Sequence, residues 1–447
     1  MALAPNSNVK SLVADAPLSG FQIMVVLLCV FINICDGLDT VSTAFAAPVL
    51  IRDWGLPAST MGIILSAGAV GLMIGALLIA PQADRFGRRP MILAGVSGSA
   101  MAMFGMALSN SVEMLVLFRV LAGIAVGSLL PSLSVMVVEY SNEAKGNFFL
   151  AMVHIGFALG AALGGALGAT LLDDYGWRAI FVVAGCLTAL AGVVTAFLLP
   201  ESIYFLTTKQ PPNALERANN ALAKLRLPPL ESLPEKKATA RRTPVAIRPL
   251  FVGTLLFATS FMWLASFLRY FISYFLTGWK PQVLVLAGFT AEKAAAVGII
   301  TSLAASLGVF GMGLLTTRFK APNATAITFL LAAVSLVGFG IFTGPVALVL
   351  FAILSMFAIE ATFTGVMITS ARLYPDDIRA TGFGFTIGMG RLGAIFGPYI
   401  GGLVIGLGFD KSAYLPFYAV MAVIGAFAIY RVGAIAFSGR DRDEAPA

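Results

Sequence analysis

The sequence predicts an all-α membrane protein of twelve transmembrane helices in two pseudo-symmetric six-helix halves, and three observations carry that prediction. Of its 447 residues, 59% are hydrophobic and 11% charged, against roughly 25% charged in soluble domains. Apolar runs that reach the about 20 residues needed to cross a hydrocarbon layer roughly 30 Å thick recur along nearly the whole chain. Two stretches at an offset of 237 residues, HIGFALGAALGG (154–165) and RLGAIFGPYIGG (391–402), superpose without a gap. They pair Gly156 with Gly393, Gly160 with Gly397, Gly164 with Gly401 and Gly165 with Gly402.

The elements follow in order. Residues 1–20 form a polar N-terminal segment, and the apolar run behind it is too long for a signal peptide, so no cleaved signal is expected. Spans are expected at 21–48, 58–80, 91–109, 112–138, 145–171 and 178–199, which make the first half (21–199). A polar linker, 200–248, holds several prolines, the run PEKKATARR and a short helix around NALERANNALAKL (213–225). Spans at 249–276, 292–315, 322–343, 345–370, 380–407 and 413–434 make the second half (249–434), and 435–447 is a polar tail. Cys29, Cys35 and Cys186 lie in apolar runs without metal-ligand spacing and read as core filler. A second echo, DRFGRRP (84–90) against TRFKAP (317–322), follows the second span of each half. Such duplication is the architecture of transporters whose binding site lies between repeats.

Orientation comes from the basic residues. Twenty-one Lys and Arg fall on the side of the termini and 5 on the opposite side, Arg52, Arg178, Lys280, Lys293 and Lys411. Both termini are therefore expected in the cytoplasm, with the chain in the plasma membrane. The same bias accounts for the net charge of +7 without a nucleic-acid partner. No Walker loop, metal cluster or nucleophile triad is present, so neither an enzyme nor a cofactor is expected.

PQADRFGRRP (81–90) resembles the loop signature of the major facilitator superfamily, with Asp84, Gly87, Arg88 and Arg89 at its characteristic positions and the usual leading glycine replaced near Pro81. RVLAGIAVG (119–127) is similar to the superfamily's fourth-span signature, and PES (200–202) closes the sixth span as in many members. Within the superfamily, DGLD (36–39) and YPDDIRATGFGFTIGMGRLGAIFGP (374–398) resemble the aromatic acid/proton symporters. That resemblance implies uptake of aromatic carboxylates, of the hydroxybenzoate or protocatechuate type, with protons. Drug/proton antiporters usually carry Gly-Pro in the fifth span, whereas here Ala161 follows Gly160.

Ionisable groups at membrane depth are costly and mark function by default. Here they are Asp36, Asp39, Arg119, His154, Arg269, Glu360 and Arg391. At 1.5 Å per residue Asp36 lies roughly 22 Å along the first span and Arg119 about 10 Å below the far edge, so the two are level. Asp36 and Asp39 share a helix face and both can address Arg119. The arrangement is either a structural salt bridge or a proton carrier, because two carboxylates sharing one cation leave one that readily takes up a proton. Gly37 between them allows close approach of a helix or ligand.

His154 and Arg391 are repeat-related, both near mid-depth, and suit an anionic substrate; otherwise His154 is a packing residue and Arg391 a permanent partner of Glu360. Arg269 is expected to snorkel to the interface. Trp263, Tyr270 and Tyr274 could wall a cavity for a ring, and Tyr399 on the Arg391 helix is a further ring contact. Asp84, Gly87, Arg88, Arg89 and Glu139 read, by the same resemblance, as a cytoplasmic latch. The expected function is proton-coupled import of an aromatic monocarboxylate by a chain acting as a monomer. A carrier of another organic anion such as muconate, of sugars or of drugs, and a transporter-like chemosensor, are the rival readings.

Overall fold

The computed structural model describes residues 18–142, 145–234, 248–375 and 378–436. Most of the N-terminal segment, most of the PEKKATARR run, Asp376, Asp377 and nearly all of the tail lie outside them. Among the described residues twelve helices are long and apolar enough to cross a membrane: Gly20–Trp54, Ala58–Phe86, Arg88–Ala107, Val112–Glu139, Phe148–Tyr175, Trp177–Leu198, Thr254–Leu286, Ala291–Leu315, Ala321–Ile341, Pro345–Leu373, Arg379–Gly406 and Lys411–Ala436. They are called the first to twelfth spans below. Exposed Leu77, Phe197 and Val346 belong to their apolar outer surfaces. Such a surface suits lipid and would be a liability in water.

Three boundaries differ most from the sequence reading. The seventh span runs ten residues past the expected end, through TGWKP, to Leu286. Gly and Pro there suggest a turn, yet the helix continues. Trp279 is fully buried and donates its Nε1–H to the Pro398 carbonyl at 2.8 Å, so packing overrides the local signal. The first span continues through Pro48 to Trp54. The second span does not end near residue 80 but passes through a wider turn at Gly75–Ile79 and a tighter one at Ala80–Gln82 to Phe86. Only Gly87, at φ +102°, separates it from the third span.

Packing groups the helices into two compact units. Of the described residues, the first unit holds those up to Thr40, within Val70–Ala161 and from Arg178 into the linker; the second holds Val41–Ala69, Ala162–Trp177 and those from 248 onward. In the first unit, the linker helix Ala214–Lys224 buries Ala218, Ala221 and Leu222 in a cluster with Val25, Cys29, Leu133, Met136, Leu199 and Leu206. Cys186, expected in a core, is exposed on the sixth span.

The duplication extends to the helix crossings. In the first unit a side chain at Gly160 would strike the Ile34 carbonyl, and one at Gly156 the Val30 carbonyl. In the second unit Gly397 faces the Phe271 carbonyl and Gly393 that of Phe267. Each of these residues lies 237 beyond its counterpart. The same offset relates Gly71 against Val120 to Gly308 against Phe357. At a further crossing the halves diverge: Gly127 lies against the Leu72 carbonyl, whereas its counterpart Thr364 donates a hydrogen bond to Val309, the counterpart of Leu72, at 3.1 Å. Small residues let the backbones meet, which is how helices associate where no hydrophobic driving force separates protein from solvent.

Candidate functional site

Within the first unit the first, third and fourth spans converge on Asp39. Arg119 donates through Nη1 to Asp39 Oδ1 and to the Asp39 carbonyl, both at 3.3 Å, and Ser99 Oγ donates to Oδ2 at 3.2 Å. Asp39 is 2% exposed and Arg119 7%, so the pair is cut off from water. Asp36, one turn earlier, is also buried. Gly37 between the acids sits against the Phe157 carbonyl of the fifth span, the close approach the sequence suggested. A buried ion pair of this kind is costly to break on one side and nearly neutral to remove whole. Protonation of Asp39 is therefore a strong local event. His154 is exposed on the fifth span, which turns its glycine face to the first.

At the end of the first unit that carries the linker, the loop motif forms a tight network. Arg88 Nη1 donates to Glu139 Oε1 at 2.5 Å and to Ser202 Oγ at 2.7 Å, and Ser202 donates to Glu139 Oε2 at 2.6 Å. Glu201 Oε1 accepts from the main-chain N–H groups of Arg88 and Arg89 at 2.9 and 3.1 Å. It thereby caps the third span with a carboxylate, where the helix dipole favours negative charge. A Cβ at Gly87 would meet Glu201 Oε2 at 2.5 Å, so the glycine serves both the positive φ and the cap. Tyr140 donates to the Glu201 carbonyl at 2.6 Å, and burial pushes its phenol well above the usual value. Arg89 reaches the Ala196 carbonyl at 2.6 Å, and Asp84 is exposed. Glu201 and Ser202 were named only as part of PES; their role was not legible because the partner amides lie more than a hundred residues away.

In the second unit, Arg269 does not snorkel. It is 4% exposed and bonds Glu360 Oε2 through Nη2 at 2.5 Å, while Ser273 bonds Glu360 Oε1. The partner the structure gives Glu360 is thus Arg269 on the seventh span, where the sequence reading had offered Arg391. Tyr270 has two guanidiniums near its ring: Arg269 Cζ is 4.4 Å and Arg391 Cζ 5.7 Å from its centroid. Arg391 Nη1 donates to the Tyr274 hydroxyl at 3.3 Å, the Tyr270 and Tyr274 rings are 6.1 Å apart, and Phe363 meets Tyr270 edge-on at 6.5 Å. Trp263 stacks on Phe385 at 5.7 Å and meets Phe251 edge-on at 5.3 Å. Tyr399 is 36% exposed. The arrangement offers aromatic faces beside fixed positive charge, the chemistry that suits a flat anion.

Lys280 was read as a loop residue on the side opposite the termini. It lies inside the seventh span, is 5% exposed, and bonds Thr301 Oγ1 of the eighth span. The mistaken end of the span hid it.

The family model of the Major Facilitator Superfamily matches residues 29–398. A 4-hydroxybenzoate transporter of Pseudomonas aeruginosa is 31% identical over 434 residues, spanning 96% of each chain. A gallate transporter of Pseudomonas putida is 31% identical over 435 residues, spanning 95% of each. The solved structure of the xylose transporter XylE from E. coli superposes with a TM-score of 0.71 at 16% identity, covering 92% of this chain and 96% of that one.

Proposed function

The chain belongs to the Major Facilitator Superfamily and is a membrane transporter rather than an enzyme, and from that premise we propose that it imports an aromatic monocarboxylate together with one or more protons by alternating access. The observation that carries this reading is the Tyr270 ring with both Arg269 and Arg391 close to it. Glu360 pairs with Arg269, and Arg391 lies at the same cluster of Tyr270, Tyr274 and Phe363. A benzoate ring lies against those faces with its carboxylate on Arg391. His154 and Tyr399 serve the ligand from elsewhere along the pathway, and Trp263 bounds its aromatic wall. The names of the 4-hydroxybenzoate and gallate transporters support the same substrate class.

Coupling is assigned to Asp39, with Arg119 as its counter-charge and Asp36 as the second acid. Asp39 takes a proton from the side opposite the termini and lets go of Arg119; on the other side it gives the proton up and the pair re-forms. A ligand drives this cycle only through unequal affinity for the two states. Arg88, Glu139, Asp84 and Gly87, with Arg89, act as the latch of the cytoplasmic end. The termini are assigned to the cytoplasm, and the chain to a bacterial inner membrane as a monomer. With Lys280 well inside the seventh span, the far side keeps Arg52, Arg178, Lys293 and Lys411, all at the very ends of their spans, which supports the same bias.

The test is uptake of labelled 4-hydroxybenzoate, protocatechuate and gallate into proteoliposomes with and without an inward proton gradient. Accumulation that requires the gradient supports the proposal. Saturable uptake indifferent to the gradient would keep the substrate and remove the proton, and transport of sugars but not of carboxylates would overturn the substrate class.

A further inference from the structure

Lys280 is a buried basic side chain that the transport cycle described above does not use. Its side chain is buried in a membrane-spanning helix, where a cation persists only if it is paired or has a functional partner. An ammonium has three donors. One goes to Thr301 Oγ1, and Thr301 gives its own hydrogen to the Gly298 carbonyl at 3.0 Å, leaving its lone pairs for the lysine. Both carboxylate oxygens of Glu360 on the tenth span are taken, by Arg269 and Ser273, and the hydrogen-bond partner of Lys280 is Thr301.

The surroundings place this cation just beneath a sealed end of the second unit. There the helix ends remote from the termini pack backbone to backbone. A Cβ at Gly402 would lie 2.7 Å from the Ala58 carbonyl, one at Gly62 would lie 3.1 Å from the Pro398 carbonyl, and one at Gly278 would lie 3.3 Å from Leu65 Cδ1. Gly278 is two residues before Lys280, and Trp279 beside it is tied to Pro398. Along the seventh span Lys280 is about 9 Å beyond Tyr274, at 1.5 Å per residue, and Tyr274 is where Arg391 is anchored. When these ends part, Lys280 is met from that side before Arg269, which lies deeper along the same helix.

We propose that Lys280 is a carboxylate-binding residue, a first station where an incoming organic anion is held by the two remaining ammonium donors before it moves on to Arg391. The proposal rests on the anion-import reading and adds a residue and an order of events to it. Thr301 holds the ammonium in place and touches no ligand.

The experiment compares Lys280→Met, Lys280→Arg and Thr301→Val with the wild type by 4-hydroxybenzoate uptake kinetics and by the thermal stabilisation of purified protein with benzoate. A charge-assisted hydrogen-bonding partner is worth roughly 10- to 100-fold in affinity. Lys280→Met should raise KM by that factor and lose stabilisation by benzoate, Lys280→Arg should retain both within about threefold, and Thr301→Val should leave KM within about threefold. Equal effects of Lys280→Met and Thr301→Val would show that Lys280 only ties the seventh span to the eighth, and would overturn the proposal. So would unchanged benzoate stabilisation in a folded Lys280→Met protein. If Lys280→Met fails to fold, Lys280→Gln takes its place: a raised KM with no benzoate stabilisation supports the proposal, and a wild-type KM overturns it. The benzoate measurement needs no transport, so a wild type that binds benzoate but accumulates nothing would sink the import reading while leaving Lys280 to be decided by its variants.

Discussion

Replacing Asp39 by Asn tests whether the buried pair is structural, coupling, or both. The two charges are 3.3 Å apart with side chains 8% and 4% exposed, and at an effective dielectric of about 20 their attraction is about 5 kcal/mol. Removing one partner of a buried pair typically costs about 3–5 kcal/mol, because the other charge is left uncompensated. Asn keeps an acceptor for Ser99, and Asp36 one turn away is buried on the same helix, so the lower end, about 3 kcal/mol, is expected. The double variant Asp39→Asn/Arg119→Met removes both charges and should recover most of that loss. Thermal unfolding in detergent reads stability; proteoliposomes read accumulation against a gradient and, separately, exchange at equal pH. The single variant should be destabilised and uncoupled, and the double variant stable but still uncoupled, with exchange retained. A double variant that accumulates substrate with the gradient would refute the coupling role. A double variant as unstable as the single one would refute the assignment of the cost to an unpaired buried charge.

Gly160→Ala places a methyl group into the Ile34 carbonyl, a backbone atom that cannot swing aside; a loss of about 1–3 kcal/mol is expected, with the same loss at its counterpart Gly397, and an unchanged melting temperature in either would contradict the close crossing. Glu360→Gln leaves Arg269 buried without its counter-charge and should cost about 3 kcal/mol, whereas Glu360→Gln/Arg269→Met should regain stability; a thermal melt on the three proteins decides. Burial holds the Tyr140 phenol neutral in the fold, whereas in the unfolded chain it ionises near its usual value of about 10. Its contribution is therefore complete below about pH 10 and declines as pH rises above it. Tyr140→Phe should lose about 1 kcal/mol at neutral pH and show a shallower fall between about pH 9 and 11; identical slopes in both proteins would contradict this.

The chain by itself determined the twelve spans, because an apolar run of sufficient length has one stable fate in lipid and each helix satisfies its own backbone. It also determined the duplication, through glycines whose four-residue spacing marks one helix face, and it singled out the charges at membrane depth, since the cost of desolvation depends on the local run alone. Asp39 with Arg119 was legible for the further reason that depth along two helices can be counted from their ends. What only the tertiary structure decided is which charge meets which. Arg269 was expected at the interface and turned inward to Glu360, because the rotation of the seventh span is set by its crossings with neighbours and not by its own sequence. Lys280 was hidden by Gly278 and Pro281, local turn signals that the burial of Trp279 overrides. Glu201 became the cap of the third span only once the chain brought it back across more than a hundred residues to the amides of Arg88 and Arg89. Helix existence is a local property of composition, whereas pairing is a property of faces that meet only after folding, and the functional charges of this protein lie on those faces.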